Sequence, residues 1–230
     1  MKRYNPRIPL ISIHIPKCGG TSLKEVLKEW FGNRLFLHYY DLKNSKMPQR
    51  IKTRKLFFGN ISGICIHGHF NKNEGFGINE YYPDTKQAIT FLRDPLEVQL
   101  SVFYYRHQQD KLGLFNRSGK PKNLTLDVDE FLETSTPYIN NFFPDDFNAE
   151  TFEKYMNDFF IHIGIIEDYQ NSLNILADKL NKPRIKVPHI NSSERFSTPS
   201  ESSIKKFKEK CIWEYEIYNR AIFEHDLNRK

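Results

Sequence analysis

Three short stretches of this chain hold residues whose types and spacing could do chemistry. The first is Lys17-Cys18-Gly19-Gly20-Thr21-Ser22, directly after the apolar run Ile8 to Ile15. Two glycines let a backbone turn tightly and let a ligand approach its N–H groups. A helix that starts there aims its unpaired N–H groups at the same point. Thr21 and Ser22 add hydroxyl donors, and Lys17 adds a positive charge. Such a loop binds a phosphate or a similar oxyanion. The second stretch is Arg93-Asp94-Pro95 with Ser101 six residues beyond Pro95. A guanidinium presents a rigid fork of donors, and a hydroxyl on the next helix could join it on one phosphate. The third is His67-Gly68-His69. An imidazole near its ordinary pKa can take a proton from an alcohol that is becoming a nucleophile.

Each stretch also has a plain structural reading. The first could be an ordinary strand–turn–helix. Arg93 could pair with Asp94 or a helix end, and Ser101 could be a small packing residue. The histidines could be a metal pair, but no suitably spaced acidic or histidine partners accompany them. They could also be core residues bonded to backbone. The first stretch comes near the nucleotide pattern G-x-x-x-x-G-K-[ST] and departs from it. Thr21 stands where the lysine belongs and Ile15 where the first glycine belongs. The lysine has moved forward to position 17, so a kinase would lose its phosphate clamp.

The surrounding elements must place these groups. Ile8–Ile15 is mostly β-branched and apolar, as in a strand buried on both faces. Thr21–Trp30 has Leu23, Val26, Leu27 and Trp30 at helical spacing, and Gly32-Asn33 ends it. Strands are expected near Leu35–His38, at Gly63–His67, at Gln87–Leu92 and at Phe160–Ile166. A short helix is expected between Arg34 and Lys55. Asp94-Pro95-Leu96-Glu97 is a helix start, with Asp94 as cap, Pro95 in the first turn and Glu97 reaching back as in a capping box. That helix should run to about Gln109, with a loop over Asp110–Lys122 and a short helix over Leu126–Glu133. Thr136–Asn148, with Pro137, Pro144 and paired aromatics, reads as a lid or rim. A helix over Tyr169–Leu180, an extended Pro183–Pro188, a serine-rich loop Ser192–Ser203 and one C-terminal helix complete the chain. Strands alternating with helices imply an α/β fold, a three-layer sandwich whose central parallel sheet is flanked by helices.

The chain has 230 residues, a length that fits a single domain spanning 1–230. Its 34 Lys and Arg against 28 Asp and Glu give a formal charge of +6, and the basic residues are dispersed. That excludes the clustered stripe expected of a nucleic-acid binder. The run Lys205–Lys210, broken by Phe207 and Glu209, reads as a solvated helix face rather than a membrane-surface patch. No stretch is long and apolar enough to span a bilayer, and the N-terminus lacks a signal-peptide core. Three widely spaced cysteines without a C-x-x-C pair argue against a disulfide framework and for a reducing compartment. Inside an anion loop, Cys18 is expected to have a lowered pKa and to be sensitive to oxidation.

The run His14-Ile15-Pro16-Lys17-Cys18-Gly19-Gly20-Thr21-Ser22 closely resembles the 5′-phosphosulfate loop of carbohydrate-type sulfotransferases. Those enzymes use 3′-phosphoadenosine-5′-phosphosulfate (PAPS) and release PAP. Arg93-Asp94-Pro95 with Ser101 resembles their 3′-phosphate motif. His67-Gly68-His69 resembles a segment of the uronosyl (heparan sulfate) 2-O-sulfotransferases in which the second histidine is the general base. Ile163-Gly164-Ile165-Ile166-Glu167 and Pro188-His189-Ile190-Asn191-Ser192-Ser193 resemble later family segments. The resemblance implies a P-loop-NTPase-like fold, PAPS as donor and an acceptor hydroxyl on a carbohydrate. It implies no metal, since Lys17 takes the part magnesium has in kinases. It implies PAPS binding by Lys17, Cys18, Gly19, Gly20, Thr21, Ser22, Arg93, Ser101, Ser192 and Ser193. It implies catalysis by Lys17 and His69, with His67 in support. No nucleic-acid partner and no stable membrane insertion are expected. The setting expected is a bacterial cytoplasm, or the Golgi lumen if the chain has been cut from an anchored enzyme. The competing functions are a P-loop kinase or phosphotransferase and a non-catalytic binder of anionic glycans.

Overall fold

The computed structural model describes residues 2–41, 43–51, 63–111, 126–187 and 195–227. Five strands, β1 (Leu10–Ile13), β2 (Leu35–His38), β3 (Cys65–Gly68), β4 (Ala88–Leu92) and β5 (Phe160–Ile165), form one sheet in the order β2-β3-β1-β4-β5. All its pairings are parallel, with Leu10 beside Cys65, Ile11 beside Ala88 and Ala88 beside Phe160. β1, β3, β4 and β5 are buried along their whole length. Strands covered on both faces need apolar residues on both, which is why these read as continuous runs rather than alternations.

The helices are α1 (Gly20–Phe31), α2 (Ile78–Tyr81), α3 (Pro95–Lys111), α4 (Val128–Thr134), α5 (Phe152–Asp158), α6 (Tyr169–Leu180), α7 (Glu201–Lys210) and α8 (Ile212–Leu227). One face of the sheet packs Leu10, Cys65, Ile89 and Ile161 against Leu23, Val26, Leu27 and Trp30 of α1 and Leu173 and Leu176 of α6. Each such side chain contributes roughly 1.5–3 kcal/mol by leaving water. The other face packs Ile11, Ile13, Ile66 and Ile163 against Phe142, Phe143, Phe147, Phe152, Ile217 and Ala221. A third cluster joins Leu100, Val102, Phe103 and Tyr104 of α3 to Leu132 of α4, Phe207 of α7 and Cys211. The three-layer α/β architecture is therefore the one expected from the alternating pattern.

Four expectations are corrected. Thr136–Asn148 is not a lid: Ile139, Phe142, Phe143 and Phe147 are core residues around a 3-10 turn at Ile139–Phe142. The buried Glu214 carboxylate of α8 accepts the N–H groups of Tyr138 and Ile139 and ties this segment to that helix. The C-terminal helix is two helices that part at Cys211. The serine-rich loop ends early, because Ser200 caps α7 by accepting the N–H of Ser203. The capping box at Asp94 is half made. Asp94 Oδ1 accepts the Glu97 N–H at 3.1 Å, but Glu167 Oε1, not Glu97, takes the Asp94 N–H at 3.0 Å. The unexpected α5 is short and follows a Thr151 cap without a side-chain bond. The expected loop at Asp110–Lys122 lies outside the described residues from 112 onward, after α3 has run on to Lys111. Of the stretch expected to hold a short helix before Lys55, the described residues between 35 and 51 form β2 and turns, and 52–55 lie outside the described residues. Among the described residues no helix is long and apolar enough to cross a membrane.

Candidate active site

From β1 the chain leaves through α1 toward β2 on one side, and from β3 it crosses β1 to reach β4 on the other. Connections that part in this way leave a crevice at the carboxyl ends of the strands. The candidate residues follow those ends: Tyr39 after β2, His69 after β3, His14 and Lys17 after β1, Arg93 after β4 and Glu167 after β5.

The loop between β1 and α1 has the form an anion cradle needs. Gly19 is the N-cap of α1 at φ +72°, and no side chain caps the helix. The first-turn N–H groups at Gly20, Thr21 and Ser22 are thus left without a side-chain acceptor. A Cβ on Gly19 would lie 2.3 Å from Ile166 Cδ1, and one on Gly20 would lie 1.9 Å from the His14 ring. The two glycines are fixed by crowding as well as by backbone shape. Thr21 is exposed and Ser22 is buried. Lys17 is held at φ +69°, which costs a non-glycine residue energy and is found where a loop must aim a group. Its Nζ sits 4.3 Å from the centre of the Tyr105 ring. Burial, and then the Arg93 charge, lower its pKa below the usual lysine value.

Cys18 departs from expectation. Its side chain is buried in the main core, and burial drives its pKa up, not down. The thiol turns away from the loop's open side, so only the backbone of Cys18 can serve an anion, and a reactive thiol is not formed there.

Arg93 donates from Nη2 to Glu97 Oε2 at 2.9 Å and from Nη1 to the Lys17 carbonyl at 3.5 Å. Its carboxylate partner is one turn along α3, not the adjacent Asp94. Arg195 donates to the same Glu97 oxygen. Two guanidinium groups therefore meet at one point. Ser101 is partly exposed in the second turn of α3. Ser192 and Ser193 lie outside the described residues.

The histidines separate by depth. His67 is fully buried, and its Nδ1 is bonded to Ser12 Oγ at 2.9 Å. Burial pushes its pKa down to about 3. His69 is partly exposed, and its backbone N–H donates to the His38 carbonyl at 3.0 Å. The His69 ring centre lies 4.5 Å from that of His14, 4.8 Å from Tyr39 and 6.3 Å from Phe142. His14 bonds Tyr39 Oη through Nδ1 at 2.8 Å and stacks on His67 at 5.3 Å. Burial, then His69 and His67, hold its pKa well below the usual imidazole value. Among the described residues no group of three or more His, Cys, Asp or Glu is arranged to hold a metal ion.

Sequence reasoning missed Tyr39, Glu97 as the arginine partner, Tyr105 and Arg195, and gave His14 no role. Position at a strand end could have flagged Tyr39. Arg195 had no local signal, since only the tertiary fold brings it to α3.

No family model matches the sequence, and no curated protein matches it. Solved structures do. A mouse sulfotransferase SULT7A1 complexed with PAP is 16% identical, over 87% of this chain and 62% of that one, with a TM-score of 0.44. Retinol dehydratase in complex with androsterone and inactive cofactor PAP is 14% identical, over 90% of this chain and 64% of that one, at 0.44. Retinol dehydratase with retinol and PAP is 15% identical, over 78% and 61%, at 0.39. The chain spans about three fifths of the length of these structures.

Proposed function

We propose that this chain is a sulfotransferase that moves the sulfuryl group of PAPS to an acceptor hydroxyl, with a carbohydrate as the acceptor class. The observation that supports this best is the meeting of three chemistries at neighbouring strand ends. These are an uncapped helix start beside a lysine, an arginine at the end of β4 and a partly exposed histidine at the end of β3.

The residues fit the donor. The N–H groups of Gly20, Thr21 and Ser22, with the Thr21 hydroxyl, hold the 5′-phosphate. Arg93 and Ser101 hold the 3′-phosphate, a group that ATP lacks. His69 removes the acceptor proton as the acceptor oxygen bonds to sulfur. Lys17 neutralises the charge that gathers on the bridging oxygen as the old S–O bond breaks and its electron pair leaves with PAP. His67, sealed under the site, supports the geometry rather than the proton transfer. The rate gain is one of positioning and electrostatic stabilisation.

Thermal shift with PAP against ATP, followed by radiolabelled PAPS with a panel of glycans and a sterol alcohol, tests the reading. Stabilisation by PAP and label on a glycan are expected. Label on the sterol alone would move the acceptor class to small molecules. Stabilisation by ATP and not PAP would return the chain to the nucleotide kinases. PAP binding without transfer to any acceptor or to water would make it a non-catalytic relative.

A further inference from the structure

Lys17 is gripped at both ends by the β4–α3 unit. Arg93, in the turn between β4 and α3, donates to the Lys17 carbonyl at 3.5 Å. Tyr105, three turns along α3, places its ring under the Lys17 ammonium. Among the described residues no carboxylate pairs with Lys17, although Glu97 projects from the same helix one turn beyond Arg93. Glu97 is instead held by Arg93 and Arg195.

This matters because the usual way to fix a lysine is an ion pair, and an ion pair consumes the charge. A carboxylate on Lys17 would compete with the anion the loop is built to receive. An aromatic face attracts the ammonium through its quadrupole, and it adds no negative charge. The three N–H donors can still turn toward an incoming oxyanion. We infer that Tyr105 is a positioning residue that holds Lys17 in place with its charge intact. This rests on the sulfuryl-transfer reading of Lys17, and Tyr105 acts only through that lysine. Its exposed position on α3 makes substitution safe for the fold.

Tyr105→Phe, Tyr105→Leu and Lys17→Ala in the full chain test it by two readouts. One is release of PAP from PAPS with water as acceptor. The other is competitive labelling of Lys17 with an amine-reactive reagent, read by mass spectrometry. Tyr105→Phe keeps the ring and should match wild type within about twofold in both. Tyr105→Leu should slow PAP release by roughly three- to thirtyfold, the span of a cation–π contact from exposed to desolvated. PAP affinity should hold within about threefold. Lys17 should label faster in Tyr105→Leu, since loss of the ring uncovers the amine to the reagent. Wild-type rate and labelling in Tyr105→Leu, beside a slow Lys17→Ala, would overturn the inference alone. A Lys17→Ala enzyme as fast as wild type would overturn the sulfuryl-transfer role of Lys17, and the labelling arm would still decide whether the ring holds the amine.

Discussion

Arg93 splits one guanidinium between a loop carbonyl and a carboxylate, so its removal should be felt in binding before it is felt in folding. Charge-assisted hydrogen bonds are worth about 1.5–3 kcal/mol. Arg93→Ala should therefore weaken PAP binding by roughly ten- to a hundredfold, and calorimetry showing unchanged affinity would remove Arg93 from the site. His69→Ala should leave PAP affinity in place and lower turnover by about a hundredfold or more. Full turnover in that variant would discard His69 as base. At this scale the sequence was a good guide where chemistry is local. Lys17, Gly19, Gly20 and Thr21 stand together at the turn from β1 into α1, as their spacing in the sequence implies. It was a poor guide to direction. Nothing in the loop's composition says that the Cys18 thiol faces the core, because that depends on Ile165 and Tyr218 in the same cluster.

Among the elements, the 3-10 turn at Ile139–Phe142 depends most on one distant group. The Glu214 carboxylate accepts the N–H of Ile139 and that of Tyr138, the residue just before the turn. Burial raises the Glu214 pKa, and the backbone N–H groups only partly offset this. A raised acid pKa means that the folded state holds the proton more tightly than the unfolded state. The stability this gives is present at low pH and lost as pH rises through ionisation. Glu214→Gln keeps an acceptor and removes the charge, so it should match or exceed wild-type stability at pH 7. Glu214→Ala leaves the buried Ile139 N–H and the partly buried Tyr138 N–H without this acceptor and should cost about 1–3 kcal/mol. Urea midpoints for the two variants check this, and equal losses would refute it. The strand and helix bounds were legible wherever periodicity was local, as at Leu35–His38 and Tyr169–Leu180. The run 136–148 was not, since its aromatics look alike on a rim or in a core. The packing of distant strands and helices around Phe142, Phe143 and Phe147 decides between them.

The whole molecule carries a titration signature. His14, His38, His67 and His162 are all held neutral below the ordinary imidazole range, chiefly by burial. His38 titrates at about 4 and His67 at about 3. In the unfolded chain each takes its proton near pH 6.5. The fold is therefore favoured above that value, and stability falls as pH drops from about 6.5 toward the folded pKa values. Each proton taken up on unfolding adds about 1.4 kcal/mol per pH unit to that fall. Unfolding at pH 5 should take up about four protons at these side chains. Urea midpoints at pH 7 and pH 5, with calorimetry in two buffers of different ionisation enthalpy, measure this. An unchanged midpoint would show that the imidazoles are not held neutral. The positive charge of the chain, diffuse in composition, resolves into Lys17, Arg93 and Arg195 around one crevice. Elsewhere Lys210 serves locally, donating to the carbonyls of Leu132, Glu133 and Ser135.

The first strand of the chain is also the middle strand of the sheet. During synthesis, Leu10–Ile13 leaves the ribosome before either of its two sheet partners. Its partners at Cys65 and Ala88 come much later, and the edge at Phe160 later still. Parallel strands cannot pair until the whole crossover between them exists. A nascent chain stopped before Cys65 therefore displays its most apolar strand with both edges open. Such a chain is a natural client for a chaperone at the exit tunnel, and slow translation between Ile13 and Cys65 should favour aggregation over yield.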